Sequence, residues 1–447
     1  MNCSRICTIK TVIAVCYILA FGCLYLYDQP LKPEVTRLIN SIPQKIATEN
    51  NLYFAMVGFS SPAGTDCYQY GVRQFERARA HKDSGKKGEL PAEKTDTELK
   101  LKGELPSFYK KAGAGMRQFI AKEPARVEAL LHDNRELMER YRSLRRYAQY
   151  EEPLFLNVWV PYPHVWIYNA KQLEQLRLMR SGSNAELLRF ARDDLAFWRR
   201  FTSKSRTLIG KLVGIRTIIH HYHFMSEFAA GPTVDEATRK AVITELLQPI
   251  PYSELSMAQA FHEEIYSYSI QQDLTQRFYS PPPALRALLS ILEQPLFNKR
   301  NMTINLVYDY FLPGTQQAEL TPKAFAAQHK KSQEPQQNGK KIGEPLFNWL
   351  TNPAGELHFG MHPFLSLPYV AKLHRVEWIR RQALLKVQIA HQKISDHAIP
   401  DFLARAGKDL SNPFTDQPMY WDQKNRKLYF IYFTGADQAE SVDMYLE

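Results

Sequence analysis

Charged residues and proline are both absent from residues 11–27, a run bounded by Lys10 and Asp28. An uncharged run of this length is at the short end of what crosses about 30 Å of hydrocarbon as a helix. Arg5 and Lys10 precede the run, so the positive-inside rule keeps residues 1–10 in the cytoplasm. The sequence therefore predicts a transmembrane signal anchor at residues 11–27, with the bulk of the chain on the far side of the membrane.

Two other interpretations of this run remain open. The residues from Leu19 to Cys23 loosely fit the small-residue-then-Cys pattern of a lipoprotein signal, although Phe21 is bulky and apolar residues continue past Cys23. Signal-peptide cleavage is the other, but no small-x-small site follows the run. We therefore favour an uncleaved anchor over lipidation and over cleavage.

Cysteine is scarce, with five residues in 447. With the anchor in place, Cys3 and Cys7 are cytoplasmic, Cys16 and Cys23 lie in the membrane, and only Cys67 is exported. A single exported cysteine forms no intramolecular disulfide, so the exported fold depends on its core. The same count excludes a metal site of the paired-cysteine kind.

The motifs of several enzyme classes are also missing. The sequence has no Gly-x-Ser-x-Gly elbow of a hydrolase and no glycine loop that would cradle a phosphate chain. It also lacks the Asp-x-Asp metal motif and the alternating strands of a luminal glycosyltransferase. These absences leave no enzyme class supported by a complete motif.

Basic residues outnumber acidic residues, 57 to 46, which gives a formal net charge of +11. In a cytoplasmic protein this excess would favour nucleic acid as a partner. An exported domain meets no DNA, so we expect no nucleic-acid partner. Anionic lipid headgroups or acidic polymers of the cell envelope are the indicated counterparts. A solvated surface without a specific partner is the alternative.

Apolar residues recur at steps of three and four along most of the chain, which is typical of amphipathic helices. Three such helices follow one another with short joints: residues 165–180, a second that Asn184 can cap, and a third after Ser205. Short joints predict antiparallel neighbours. The predicted fold class is mainly α, with antiparallel helix pairs in a bundle or a solenoid-like array. A small C-terminal β-hairpin is predicted around the turn at residues 422–426.

Composition divides the chain into six predicted parts. Residues rich in Lys, Glu, Gly and Pro predict a mobile insertion, and a Gln- and Lys-rich stretch predicts a linker or loop. The parts are a cytoplasmic N-terminus (1–10), the anchor (11–27), a juxtamembrane helix (28–50), a helical periplasmic domain with the mobile insertion at 81–106 (51–312), a polar linker or loop (313–345), and a C-terminal helical segment with the β-hairpin (346–447).

Several motifs resemble a family of exported, mostly helical proteins of proteobacteria. The motifs are Ala-Arg-Asp-Asp-Leu-Ala-Phe-Trp-Arg-Arg-Phe at 191–201 with Leu-Ile-Gly-Lys-Leu at 208–212, residues 51–59, and Asn-Pro-Ala-Gly-Glu-Leu at 352–357. The tail at 410–420 is similar to a C-terminal signature shared more widely among exported bacterial proteins. The resemblance implies an inner-membrane or periplasmic location and a helical domain. It supplies no activity and no functional residues.

The strongest candidate for a metal site is a set of three residues on one predicted helix. His220, His223 and Glu227 are separated by steps of three and four, so they share one helix face at a spacing compatible with metal ligation. Ile219 and Tyr222 define the packed face of the same helix, so the histidines can also simply flank it.

A second fragment of a metal motif lies further along the chain. His262 and Glu263 begin the zinc-protease pattern His-Glu-x-x-His, but Tyr266 occupies the position of the second histidine, so the motif fails. Glu263 joins the histidines only if the two helices pack together. The alternative function is therefore a metal-dependent hydrolase that uses His220, His223, Glu227 and Glu263.

Two adjacent carboxylates, Asp193 and Asp194, lie near four arginines. Paired carboxylates can do acid–base work, but arginines at helical spacing favour ion pairs on the helix surface. We predict such surface pairs for both aspartates. The four arginines are Arg189, Arg192, Arg199 and Arg200.

The sequence thus favours a non-enzymatic role, in which the chain binds or scaffolds a partner protein or polymer of the cell envelope. Inner-membrane lipid would hold the protein through residues 11–27. No cofactor is expected.

Overall fold

The computed structural model describes residues 22, 27–84, 98–106, 108, 115–159, 166–270, 299–333, 352, 366–433 and 439–446. The predicted anchor lies outside these residues except for 22 and 27, as do residues 85–97 of the predicted insertion and residues 334–345 of the predicted linker. Within the described ranges, no helix combines the length and the apolar character needed to span a membrane.

The chain divides into two compact units, each assembled from segments that are distant in sequence. Unit 1 draws on residues 1–42, 264–313 and 333–365, and unit 2 on residues 43–263, 314–332 and 366–447. The predicted mainly helical class and the antiparallel hairpin near the C-terminus are confirmed.

The elements are numbered in chain order. The helices are α1 Pro33–Asn40, α2 Leu52–Val57, α3 Cys67–Asp83, α4 Met116–Lys122, α5 Pro124–Asp133, α6 Arg135–Ser143, α7 Trp166–Ser181, α8 Asn184–Lys204, α9 Leu208–Ala229, α10 Glu236–Ala241, α11 Tyr252–Leu255, α12 Ala258–Ile270, α13 Arg300–Gln317, α14 Pro322–Gln333, α15 Ser366–His391 and α16 Ile399–Arg405. Short 3₁₀ helices lie at Gly58–Ser60, Leu144–Arg146, Leu154–Trp159, Asp396–Ala398 and Lys408–Leu410, and a π-helical turn lies at Val242–Leu246.

Unit 1 contains a close contact between the residues after the apolar run and the start of α13. The Asp28 carboxylate accepts hydrogen bonds from the backbone N–H groups of Asn301 (2.9 Å) and Met302 (3.0 Å). It thereby caps a helix whose first N–H groups have no partner within the helix. One turn further along α13, the Asn305 side chain bonds the backbone of Pro30 and Lys32, each at 3.0 Å. This segment is therefore fixed along the first turns of α13.

In unit 2, α2 and α3 approach so closely that only glycine fits at the contact. A Cβ on Gly71 would lie 1.9 Å from the backbone oxygen of Phe54, and a Cβ on Gly58 would lie 1.9 Å from that of Cys67. The side chains that close this contact, including Phe54 and Phe75, are buried. The two helices therefore pack backbone against backbone.

We expect Gly71→Ala to destabilise the protein by about 1–3 kcal/mol, because the new methyl group overpacks the contact with Phe54. In an unconstrained helix the same change would stabilise by up to about 1 kcal/mol. Urea unfolding followed by circular dichroism measures the difference. Gln69→Ala, at an exposed position of α3, is the control, and a stabilised Gly71→Ala protein would contradict the close packing.

Helices α8 and α9 begin at well-defined caps. The hydroxyl of Ser183 accepts from the N–H of Glu186 at 3.2 Å, and the Glu186 carboxylate accepts from the N–H of Ser183 at 2.9 Å, which completes a capping box. The predicted cap, Asn184, is instead the first residue of α8. The hydroxyl of Thr207 caps α9 by accepting from the N–H of Gly210.

A buried carboxylate strengthens the start of α9. Glu152 is only 6% exposed. It accepts from the backbone N–H groups of Arg206 (2.6 Å) and Thr207 (3.0 Å) and from the hydroxyls of Thr207 (2.8 Å), Ser205 (3.4 Å) and Tyr150 (3.0 Å). A negative charge at the N-terminus of a helix also interacts favourably with the helix dipole. Glu152 therefore fixes the position of the helix that carries the histidines.

The C-terminal sheet has three antiparallel strands in the order β1–β2–β3: Tyr420–Asp422, Lys427–Phe433 and Ala439–Tyr445. Strands β1 and β2 form the predicted hairpin, in which Tyr420 pairs with Tyr429. Strand β3 was not predicted. It pairs with β2 along its whole length and places Met444 opposite Leu428, both of them buried.

Candidate functional site

A fully buried polar network joins four helices of unit 2 around Asp194 on α8. The Nζ atom of Lys171 on α7 lies 2.9 Å from Oδ2 of Asp194, and Nδ1 of His221 on α9 lies 3.4 Å from the same oxygen. The Tyr141 hydroxyl on α6 donates to the other carboxylate oxygen. The indole N–H of Trp198 in turn donates to that hydroxyl at 2.9 Å. All five side chains are at most 1% exposed.

The charges in this network offset one another. Burial by itself would raise the pKa of Asp194, but the Lys171 ammonium and the His221 ring beside it hold that pKa well below its usual range. Burial lowers the pKa of Lys171 and of His221, and the Asp194 carboxylate partly offsets both changes. Asp194 is thus an ionised carboxylate in the core, paired chiefly with Lys171.

The prediction of surface ion pairs is wrong for Asp194. Its neighbour Asp193 is exposed but forms no ion pair among the described residues, whereas Asp194 lies on the buried face of α8. The nearby arginines pair elsewhere: Arg192 with Glu245 and Arg199 with Glu254. The half-buried Arg145 also lies 3.5 Å from Oδ1 of Asp194. The five buried side chains of the network therefore hold helices together, and Arg145 is the residue through which Asp194 approaches the surface.

A second set of polar side chains lies at the partly exposed edge of the same helices. We call Tyr168 on α7, Arg216, His220 and His223 on α9, and Arg375 on α15 the cationic cluster. Arg216 is exposed and the other four are half-buried. All five belong to unit 2. Sequence steps of four and three place the three α9 residues on one helix face.

Three contacts are resolved within the cationic cluster. The Tyr168 hydroxyl lies 2.8 Å from Nδ1 and 3.0 Å from Nε2 of His220. The guanidinium of Arg216 lies over the Tyr168 ring, 5.0 Å from its centroid. The His220 and His223 rings are 6.5 Å apart between centroids. Tyr168, Arg216, His220 and His223 are therefore neighbouring side chains, and Arg375 lies on α15, which packs against α9.

The charges that act on the two imidazoles are positive. Burial lowers the pKa of His220 well below its usual value, and His223, Arg216, Lys171 and Arg375 lower it further. Burial, Lys386 and Arg375 together lower the pKa of His223 to about 3. Both imidazoles are therefore neutral near pH 7.

The remaining predicted metal ligands have other partners. The Glu227 carboxylate accepts from the backbone N–H of Arg117 on α4 at 2.6 Å. Glu263 forms an ion pair with Arg206, which directly precedes the cap of α9. Among the residues that the structure describes, no group of three or more His, Cys, Asp or Glu side chains is placed to hold a metal ion. The metal-dependent hydrolase stays a prediction.

Sequence reasoning missed the arginines of the cluster. Arg216 had a local signal, because it precedes His220 by four residues on the same helical face. Arg375 had none, because it lies on a helix far along the chain.

Three comparisons with known proteins returned no match: no protein-family model, no curated protein and no solved structure matches the chain significantly.

Proposed function

We propose that this chain is a non-enzymatic binding or scaffolding protein of the bacterial cell envelope, held at the inner membrane by residues 11–27, with its helical units in the periplasm. The uncharged run and the two basic residues before it support the tether. The resemblance to exported proteobacterial proteins supports the compartment. The chain's excess of basic residues supports an acidic partner.

The observation that carries the binding role is the cationic cluster of unit 2. Its side chains come from three helices and remain partly open to solvent, whereas the five side chains of the Asp194 network are buried. Polar side chains that converge at an accessible place are suited to fixing the orientation of a bound group. No described group of residues combines such access with the carboxylates of a metal site.

A topology reporter tests the tether. A C-terminal fusion to an enzyme that is active only after export is expected to be active, and a fusion to a reporter active only in the cytosol is expected to be silent. The matched control places two aspartates inside the run, as Ile18→Asp with Leu24→Asp, because charges at the centre of a spanning helix oppose insertion. Activity of the cytosolic reporter alone would refute the proposed location.

Mild crosslinking in cells, followed by purification under denaturing conditions, tests the binding role. We expect a defined envelope component to co-purify with the full chain and not with a control that joins residues 1–42 to an unrelated exported domain. Identical recovery with both proteins would show that the anchor alone accounts for the association, and the binding role would fail.

A further inference from the structure

The cationic cluster contains positive charge that the described protein does not neutralise. Neither Arg216 nor Arg375 forms an ion pair with a carboxylate of the described residues. Other arginines of unit 2 do so: Arg199 pairs with Glu254 and Arg380 with Glu377. The two arginines at the cluster therefore differ from the usual pattern in this unit.

Arg375 provides a second observation. Its Nε atom is buried and has no hydrogen-bond partner among the described residues. Burying part of a guanidinium without a partner is unfavourable, because the group gives up its contacts with water. An anion that accepted this hydrogen bond would remove the cost.

The sign of the surrounding charge favours an anion over a metal ion as the ligand of this cluster. Arg216 and Arg375 both act on the imidazole of His220, and Arg375 also acts on that of His223. Lys171 is offset by Asp194, so the two arginines are the positive charges that carry the argument. A divalent cation placed between the imidazoles would be repelled by the same side chains. An anion would be attracted by both arginines.

The donors favour a group with several oxygen atoms. Arginine presents a planar fork of N–H groups that matches phosphate or carboxylate oxygens. Burial raises the pKa of Tyr168, so its hydroxyl stays protonated and able to donate. A phosphate monoester has three terminal oxygens and a charge of about −1.5 to −2 near pH 7, which suits two arginines and a hydroxyl better than a single carboxylate does.

We propose that Tyr168, Arg216, His220, His223 and Arg375 form a binding site for a phosphate monoester group. Arg216 and Arg375 supply charge and paired donors. The Tyr168 hydroxyl donates a further hydrogen bond while its oxygen accepts from the neutral ring of His220, and the His223 ring lies beside that of His220. The inference rests on the proposed function only for the source of the group, either a lipid headgroup at the membrane or a soluble envelope metabolite.

Phosphate binding by the whole chain, purified in detergent, tests the site directly. The probe is inorganic phosphate, titrated at constant ionic strength in a calorimeter. We expect saturable binding to the unaltered chain and at least tenfold weaker binding to the R216Q/R375Q variant, since each lost charge-assisted contact is worth about one order of magnitude. The matched control is R189Q/K204Q, which removes the same charge from exposed positions of α8.

A milder variant and a spectroscopic readout cover the case in which R216Q/R375Q fails to fold. Tyr168→Phe removes only the hydroxyl and is expected to weaken phosphate binding several-fold. In the unaltered chain, the imidazole resonances assigned to His220 and His223 by His→Gln variants should shift on phosphate addition. Those of exposed His132 and His397 should not shift.

Two further arms distinguish the source of the group. Nanodiscs of phosphatidylcholine alone are compared with nanodiscs that also contain phosphatidic acid, whose headgroup is a phosphate monoester. Weaker apparent phosphate binding only with phosphatidic acid assigns the site to lipid, and unchanged binding assigns it to a soluble ligand. The proposal is overturned if phosphate binds no more tightly to the unaltered chain than to both double variants. That result would leave the topology experiment unaffected, so the two proposals fail separately.

Discussion

Replacing Asp194 by alanine is expected to lower the free energy of unfolding by about 3–5 kcal/mol, because it leaves the Lys171 ammonium buried without its carboxylate. The same change removes the acceptor of the Tyr141 hydroxyl and the neighbour of His221. Urea unfolding of the detergent-purified chain, followed by circular dichroism and by tryptophan fluorescence, measures the loss. Trp198 lies within the network, so its emission is expected to report the same transition.

Asp193 is the matched control for this experiment. It is the same residue type, one position earlier on α8, and it is exposed, so Asp193→Ala should change stability by no more than about 0.5 kcal/mol. The double variant K171M/D194L removes both charges and fills the space with apolar groups, so it should recover the part of the loss that comes from the unpaired ammonium. Equal effects of Asp193→Ala and Asp194→Ala would show that the buried network is absent.

The loss of stability in acid should also depend on the Asp194 network. The folded pKa of Asp194 is lowered, so its stabilising contribution is complete above the unfolded value of about 4 and is lost as pH falls below it. The pKa of His221 is also lowered in the folded state, so the unfolded chain binds a proton first, and stability falls below about pH 6.5. Both effects have the same sign, and the Asp194→Ala variant should lose stability in acid less steeply than the unaltered chain.

The second large effect is expected at Glu152, where Glu152→Ala should cost about 3 kcal/mol. The change leaves the N–H groups of Arg206 and Thr207 at the start of α9 without their acceptor. Unsatisfied buried donors cost roughly 1–3 kcal/mol each. Urea unfolding gives the size of the loss, and hydrogen exchange at the first turn of α9 locates it.

Glu151 provides the comparison for Glu152. Its side chain is exposed and accepts one hydrogen bond, from the N–H of Ala47 at 3.2 Å. Glu151→Ala should therefore cost less than about 1 kcal/mol. Faster exchange across the whole protein in Glu152→Ala, with no excess at α9, would argue that the carboxylate has no particular role at that helix.

Helix periodicity and breaker residues were sufficient to predict the central helices. The predicted helix at 165–180 agrees with α7, Trp166–Ser181, to within one residue at each end. The start of α8 was predicted to within one residue, since Ser183 and not Asn184 is its cap. These features are local, because each depends on residues within one or two turns.

The polar networks were less predictable, for two different physical reasons. Asp194 follows Leu187 and Ala191 and precedes Trp198 at steps of four, three and four, so the helical period itself places it on the apolar face. Its partner arginines were chosen by proximity in sequence, and that choice was wrong. Arg375, in contrast, lies on α15, which packs against α9 although it is far along the chain, and no local pattern encodes that packing.

The cap that Asp28 places on α13 has a mechanical consequence under the proposed tether. Asp28 immediately follows the apolar run, and its carboxylate already bonds Asn301 and Met302. A flexible linker would give a reach that grows with the square root of its length, whereas this connection has essentially no slack. Unit 1 would consequently diffuse laterally together with its anchor and would not extend away from the membrane. A molecule that binds unit 1 would then have to do so at the bilayer surface.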